Sequence, residues 1–265
     1  MLKRTSGIVL KSTLFGEADL IVTYLTPDYG LLKVFVKSPR KVKSRFGSSL
    51  EPLTYAKISF FGKEESALPR LTQSDIIRPF HALREDFTCF LNISEMLELN
   101  LNFLPEREPN AGIFKLLLTT LVRLESSCRN PLYYLYYKMR FLDMAGYSPR
   151  LDACGRCGTV LADSDAQQRR MQGEAGARHH FYVSHGSVLC GRCGENGNEP
   201  LHLTHSALKF YKSLLRWHPA AIDRIKAPEQ LMSEINGIIN SHIRYVLGSP
   251  RFPRKKSFEN VRQLS

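Results

Sequence analysis

Residues 18–37 read Ala18-Asp19-Leu20-Ile21-Val22-Thr23-Tyr24-Leu25-Thr26-Pro27-Asp28-Tyr29-Gly30-Leu31-Leu32-Lys33-Val34-Phe35-Val36-Lys37. Ala18 to Thr26 is rich in β-branched and aromatic residues and alternates. Ile21, Thr23 and Leu25 fall on one face; Leu20, Val22 and Tyr24 fall on the other. Pro27-Asp28-Tyr29-Gly30 is a turn, because proline presets φ and glycine accepts φ above zero. Leu31 to Lys37 is the return strand, so the stretch is a β-hairpin.

Short strands also flank this hairpin. Gly7 to Ser12 lies before it; Leu53 to Gly62 and Leu68 to Ile76 lie after a polar loop at 38–49. Five short strands within about 75 residues predict a small Greek-key barrel. An OB-fold has that strand count, and an SH3-like barrel is the open alternative.

The texture changes at Arg78-Pro79. Phe90, Ile93, Leu97, Leu101 and Leu104 follow a helical rhythm, as do Phe114, Leu117, Leu118, Leu121 and Leu124. Another helix runs from about Leu132 to Ala145 and stops at Gly146. Its Tyr133, Tyr134, Tyr136, Tyr137 and Phe141 read as bundle core rather than as a stacking platform. Residues 151–200 are loop-rich, with a polar excursion from Asp163 to His180. Thr204 N-caps a helix to Trp217. Pro228 to Leu247 is the last helix, with Leu231, Ile235, Ile238, Ile239, Ile243 and Val246 as its stripe. A proline-broken basic tail follows.

The fold class is therefore α+β. Expected domains are a barrel at 1–79, a helical domain at 80–150, a cysteine module at 151–200, C-terminal helices at 201–248 that pack with the helical domain, and the tail at 249–265.

The strongest motif is a pair of identical pentapeptides, Cys154-Gly155-Arg156-Cys157-Gly158 and Cys190-Gly191-Arg192-Cys193-Gly194. C-x-x-C spacing lets two thiolates reach one ion, and glycine permits the tight backbone of a knuckle. Two knuckles make a tetrahedral four-cysteine site of zinc-ribbon type, with the 32 residues between them forming an excursion. Four protein ligands leave no position for a substrate water, so one structural zinc ion is expected. Arg156 and Arg192 stand where they offset the net negative charge of such a site. His179, His180, His185, His202 and His205 are alternative ligands, but with four cysteines at hand they read as surface histidines. Met1 to Gly7 has no apolar signal-peptide core, so thiols or metal ligands are expected rather than disulfides. On that reading Cys89 and Cys128 are ordinary buried thiols.

The chain has 265 residues and a net charge of +12. The excess sits at its ends: residues 1–80 carry net +6 and residues 201–265 net +7. Such a distribution favours polyanions through counterion release. Lys33, Lys37, Arg40, Lys41, Lys43 and Arg45 occur without an intervening acid, and Phe46 follows them. Cations that track phosphates beside a ring that stacks on bases suit single-stranded nucleic acid. The competing reading puts Phe46 in the barrel rim beneath a solvated loop. No apolar run approaches the ~18 residues of a membrane span. No phosphate-binding loop, dinucleotide fingerprint, zinc-protease motif or nucleophile elbow occurs, and the carboxylates form no paired metal-binding set. An enzyme is therefore not the leading reading.

Several strings together resemble the bacterial RecO recombination-mediator family. Phe15-Gly16-Glu17-Ala18-Asp19-Leu20-Ile21 is similar to the family's early strand. Lys37-Ser38-Pro39-Arg40-Lys41 occupies the place of its Gly-Ala-basic loop, with Ser-Pro where the family has glycine. Lys43-Ser44-Arg45 and Leu50-Glu51-Pro52 also resemble it. The most specific string is Lys138-Met139-Arg140-Phe141-Leu142-Asp143-Met144-Ala145-Gly146-Tyr147-Ser148-Pro149, followed by the first C-x-x-C; the Phe181 to Val188 run and the second C-x-x-C continue the pattern. The resemblance covers about residues 5–245.

It implies an N-terminal OB-fold, a helical domain and a zinc ribbon. It implies binding of single- and double-stranded DNA and annealing of complementary strands without ATP. The implied partners are RecR and the acidic C-terminal tail of single-stranded DNA-binding protein (SSB), so that RecA can load. Arg140 is the candidate for that tail. The implied setting is the bacterial cytoplasm, at the nucleoid. A zinc-ribbon regulator that binds RNA or acts in transcription or translation is the rival class, and a metal-dependent nuclease the third.

Overall fold

The computed structural model describes residues 1–39, 46–62, 68–160, 178–194 and 199–248. Arg40, Lys41, Lys43, Arg45, most of the 163–180 excursion and the 249–265 tail lie outside the described residues. The chain is a mixed α+β protein that divides into two units, Met1–Ala145 and Gly146–Ser265.

The first unit opens with five strands: β1 (Leu2–Phe15), β2 (Asp19–Thr26), β3 (Gly30–Val36), β4 (Tyr55–Phe61) and β5 (Arg70–Arg78). They close in the order β1-β2-β3-β5-β4, with β4 pairing back onto β1. Only the β3–β5 pairing is parallel. β2 and β3 are the hairpin read above, with Thr26 opposite Gly30. β1 is longer than expected because both of its edges are paired, β4 along its first half and β2 along its second.

Alternation decides what lies inside. Val22, Tyr24, Leu32, Val34, Val36, Ile58, Phe60 and Leu71 fill the interior. Leu25 and Leu31 point the other way yet are also buried. The chain after the first long helix, at 104–108, covers them: Leu31 bridges Glu106 and Arg107 N donates to the Leu31 carbonyl at 3.1 Å. Gly30 is required by this approach, because a Cβ there would lie 1.9 Å from the Glu108 carbonyl oxygen.

Four helices follow: α1 (His81–Glu85), α2 (Phe87–Phe103), α3 (Ala111–Ser127) and α4 (Pro131–Met144). Asp86, Asn110 and Asn130 cap α2, α3 and α4, each accepting from a backbone N–H of the first turn. Pro131 at the first position of α4 costs no hydrogen bond. On α2 the buried residues are Cys89, Ile93, Met96, Leu97, Leu99, Asn100 and Phe103, so Phe90 and Leu101 sit beside the core rather than in it. The four tyrosines and Phe141 of α4 are all buried, and Asn100 Nδ2 donates to the Tyr137 hydroxyl at 2.6 Å.

One expectation is overturned here. Cys89 and Cys128 are not free thiols but form a disulfide across 39 residues. Cys89 lies in the first turn of α2 and Cys128 caps the end of α3. Packing brings their Cα atoms to 5.7 Å, inside the range a disulfide bridges.

The second unit holds β6 (Arg178–Tyr182), β7 (Ser187–Leu189) and β8 (Leu201–Thr204) in the order β7-β6-β8, then α5 (His205–Arg216) and α6 (Glu229–Gly248). The polar excursion therefore ends sooner than expected, because Arg178 to Tyr182 pairs on both sides. Thr204 caps α5, and its hydroxyl and N–H both donate to Glu234 of α6. Ile235, Ile238, Ile239 and Ile243 are buried, while Leu231 and Val246 are half-buried. Among the described residues no helix is long and apolar enough to cross a membrane.

Candidate metal centre and nucleic-acid interface

The two pentapeptides meet. The sulfurs of Cys154, Cys157, Cys190 and Cys193 all lie within 4.8 Å of one another. Cys157 Sγ and Cys190 Sγ are 3.7 Å apart. Four thiolates on a tetrahedral ion with bonds of ~2.3 Å stand ~3.8 Å apart, so the arrangement fits one metal ion.

Each knuckle is a tight turn. Gly158 N donates to the Cys154 carbonyl at 2.9 Å, and Gly194 N to the Cys190 carbonyl at 3.0 Å. The first turn is clamped to β7, with Gly155 N on the Val188 carbonyl and Arg150 bridged to Ser187. Gly155 lies so close that a Cβ there would be 1.9 Å from Ser187 Oγ. Cys154, Tyr182 and Leu189 form a small buried cluster under the site. Arg156 reaches the Cys193 carbonyl at 3.4 Å and so links the knuckles.

The thiols have unequal environments. The Thr159 hydroxyl and N–H bring the Cys157 thiol down to about 6. Burial opposes ionisation of Cys154, but N–H groups of Cys157, Cys190 and Arg156 outweigh it and its pKa falls. Hydrogen bonds with Cys157 and Cys190 push Cys193 up to about 12. A divalent ion would hold all four as thiolates.

None of the five histidines joins this group. His180, His185 and His202 are exposed and His205 is half-buried. His179, expected at the surface, is buried on the inner face of β6. His180 faces His202 across β6 and β8, with ring centroids 5.0 Å apart.

The second candidate site is the barrel edge where β3 ends. Lys37 is exposed. Next to it Ser38 holds φ +52°, and its N–H donates to Asp19 Oδ1 at 2.6 Å. Asp19 therefore fixes the base of the basic stretch, and Ser38 adopts the left-handed conformation that glycine takes most easily. Lys33 differs from its expected role, because its ammonium sits 2.5 Å from Glu106.

Of the two readings of Phe46, the stacking ring beside the cations is corrected and the place in the barrel holds: it is only 6% exposed and packs in the core with Leu50. Among the described residues of the barrel, Phe15 and Phe61 are the exposed phenylalanine rings. Their place on the outer face follows from strand register, which spans the barrel. Arg140 lies on α4, 3.4 Å from Asp143 one turn on and hydrogen-bonded to the Tyr136 side chain.

Comparison with known proteins places these features. Residues 1–80 match the family described as Recombination protein O N terminal, and residues 84–256 match Recombination protein O C terminal. The DNA repair protein RecO of Thermodesulfovibrio yellowstonii is 41% identical over 249 residues, spanning 92% of this chain and 93% of that protein. The RecO of Dehalococcoides mccartyi is 30% identical over 244 residues, with 92% and 90% covered. That of Myxococcus xanthus is 30% identical over 258 residues, with 97% and 96% covered. With both halves matched and relatives covered almost end to end, this chain belongs to the RecO family of DNA repair and recombination proteins.

Proposed function

We propose that this protein binds single- and double-stranded DNA, anneals complementary strands without ATP and helps load RecA onto DNA coated by SSB. The observation that carries this reading is the barrel edge of a RecO-family chain. There Asp19 anchors Ser38, and Lys37 heads a stretch that continues through Arg40, Lys41, Lys43 and Arg45. Cations on one edge neutralise the phosphates of two strands, lower their mutual repulsion and let bases pair. The protein acts by binding rather than by catalysis.

We read residues 1–79 as an OB-type DNA-binding barrel, 80–150 as a helical domain, 151–200 as a zinc ribbon, 201–248 as C-terminal helices, and 249–265 as a basic tail. One zinc ion held by Cys154, Cys157, Cys190 and Cys193 would fix the ribbon, with a folding contribution on the order of 10 kcal/mol. RecR and the acidic tail of SSB are the proposed protein partners, with Arg140 contacting the tail. The setting is the bacterial cytoplasm, at the nucleoid.

Binding to a single-stranded oligonucleotide across a salt series tests the DNA contact. Lys33 is already engaged by Glu106, which leaves five cations in the stretch. At ~0.7 per phosphate, log K falls against log salt with a slope of about −3.5. Charge reversal of Lys37, Arg40 and Lys43 reduces that slope by about 2. Unchanged affinity and slope would remove this edge from the account.

A further inference from the structure

The pairing register of the barrel lines up an outward-facing row that no local pattern in the sequence shows. Thr13 stands opposite Ile21, Ile21 opposite Phe35, and Phe35 beside Arg70. Arg70 stands opposite Phe61, and Phe61 opposite Leu2. The row thus crosses all five strands and returns to β1 eleven residues from where it began, the stagger of a strongly tilted closed sheet. Every member lies on the face opposite the core: the neighbours Val34, Val36, Phe60 and Leu71 are the buried ones.

Three rings share this face. Phe15, two residues beyond Thr13, meets Phe35 edge-on with centroids 5.9 Å apart. Phe61 is 58% exposed and Phe15 51%. Arg70 is exposed and sits between Phe35 and Phe61, about one strand spacing, ~4.8 Å, from each. Lys37 follows β3 directly and Lys11 lies one outward position below Thr13, both exposed. Among the described residues, Glu17 lies in the β1–β2 turn and Asp19 opens β2, where its carboxylate is committed to Ser38.

Large rings left in water beside cations are a costly surface for a protein with no ligand for it. We infer that Phe15, Phe35 and Phe61 stack on unpaired bases, with Arg70 between them holding the phosphate or stacking with its guanidinium plane. The occupant is a single strand, because a duplex hides its base faces within its own stack. This inference rests on the DNA-binding reading and adds to it: Lys37 and the cations that follow it in sequence supply charge, and the ring row distinguishes unpaired from paired bases. Phe46 cannot take that role from the core, so the rings that do come from β1, β3 and β4.

The test is fluorescence polarisation with the full chain and two labelled strands of equal length, one of thymidines and one of abasic sugar-phosphate. The native chain binds the thymidine strand about tenfold more tightly or better, since base–ring stacking contributes roughly that much per ring. Phe15→Ser with Phe61→Ser lowers the ratio of the two affinities by about tenfold or more, leaving only what Phe35 contributes. Both rings are exposed, so the variant folds, and circular dichroism checks it. Lys37→Glu instead lowers both affinities together and keeps the ratio. Equal binding of both strands by the native chain overturns the ring row but leaves the DNA-binding reading standing, with the rings then serving a protein partner. No binding of either strand overturns both.

Discussion

The carboxylate of Asp19 accepts the Ser38 N–H at 2.6 Å, across the strands β2 and β3 that carry them to the same end of the barrel. This contact joins the first residue of β2 to the second residue beyond β3. It holds a non-glycine residue at φ +52° directly before the basic stretch. Ser38→Gly relieves that conformation and stabilises the chain by about 1 kcal/mol. Asp19→Ala costs about 1–3 kcal/mol, as expected for a hydrogen bond to a charged acceptor. Urea unfolding of both variants checks the pair; opposite signs are expected.

The identical pentapeptides are not equivalent in space. A Cβ at Gly155 collides with Ser187, whereas one at Gly191 meets nothing within 4 Å. Gly155→Ala is expected to cost about 1–3 kcal/mol and to speed metal loss to a chelator. Gly191→Ala should do neither. Zinc release followed with a colorimetric chelator compares them directly.

The disulfide predicts a thiol count. Metal-free chain denatured without reductant exposes four reactive thiols, and six appear after reduction. Cys89→Ser lowers stability by about 4 kcal/mol under oxidising conditions, from the loop closure that a 39-residue separation provides. Six thiols before reduction would contradict the pairing.

Acid should weaken the second unit. Burial holds the His242 imidazole below its usual value, against the opposing effect of its hydrogen bond to the Tyr147 carbonyl. His180 is lowered first by burial and then by His202. A depressed folded value means the fold favours the neutral ring. The associated stability is therefore complete above the unfolded value of about 6.5 and is lost as pH falls through it. Melting at saturating zinc should drop between pH 7.5 and 5.5, and His242→Gln should flatten that drop.

Much of this was legible because it is local. The alternation of 18–37 specifies a hairpin, and the C-x-x-C spacing specifies a pair of sulfurs that reach one point. Thr204 declares its cap because capping acts over three residues. What escaped depends on residues far apart in the chain. Phe46 is polar-flanked in sequence, and only the closure of β4 and β5 around it makes it core. Lys33 sits among cations in sequence, yet the chain 73 residues later delivers Glu106 to it. Cys89 and Cys128 pair because the fold brings the start of α2 to the end of α3, which spacing alone does not disclose. The row through Phe35, Arg70 and Phe61 exists only once the register is known.

The measurement closest to the central claim is the annealing of complementary single strands coated with SSB, without nucleotide. The account predicts that the full chain accelerates annealing. It predicts that the gain falls when Lys37, Arg40 and Lys43 are reversed in charge, and again when SSB lacks its acidic tail. Tight, salt-sensitive DNA binding with no acceleration of annealing would contradict it, leaving a zinc-containing DNA binder without mediator activity.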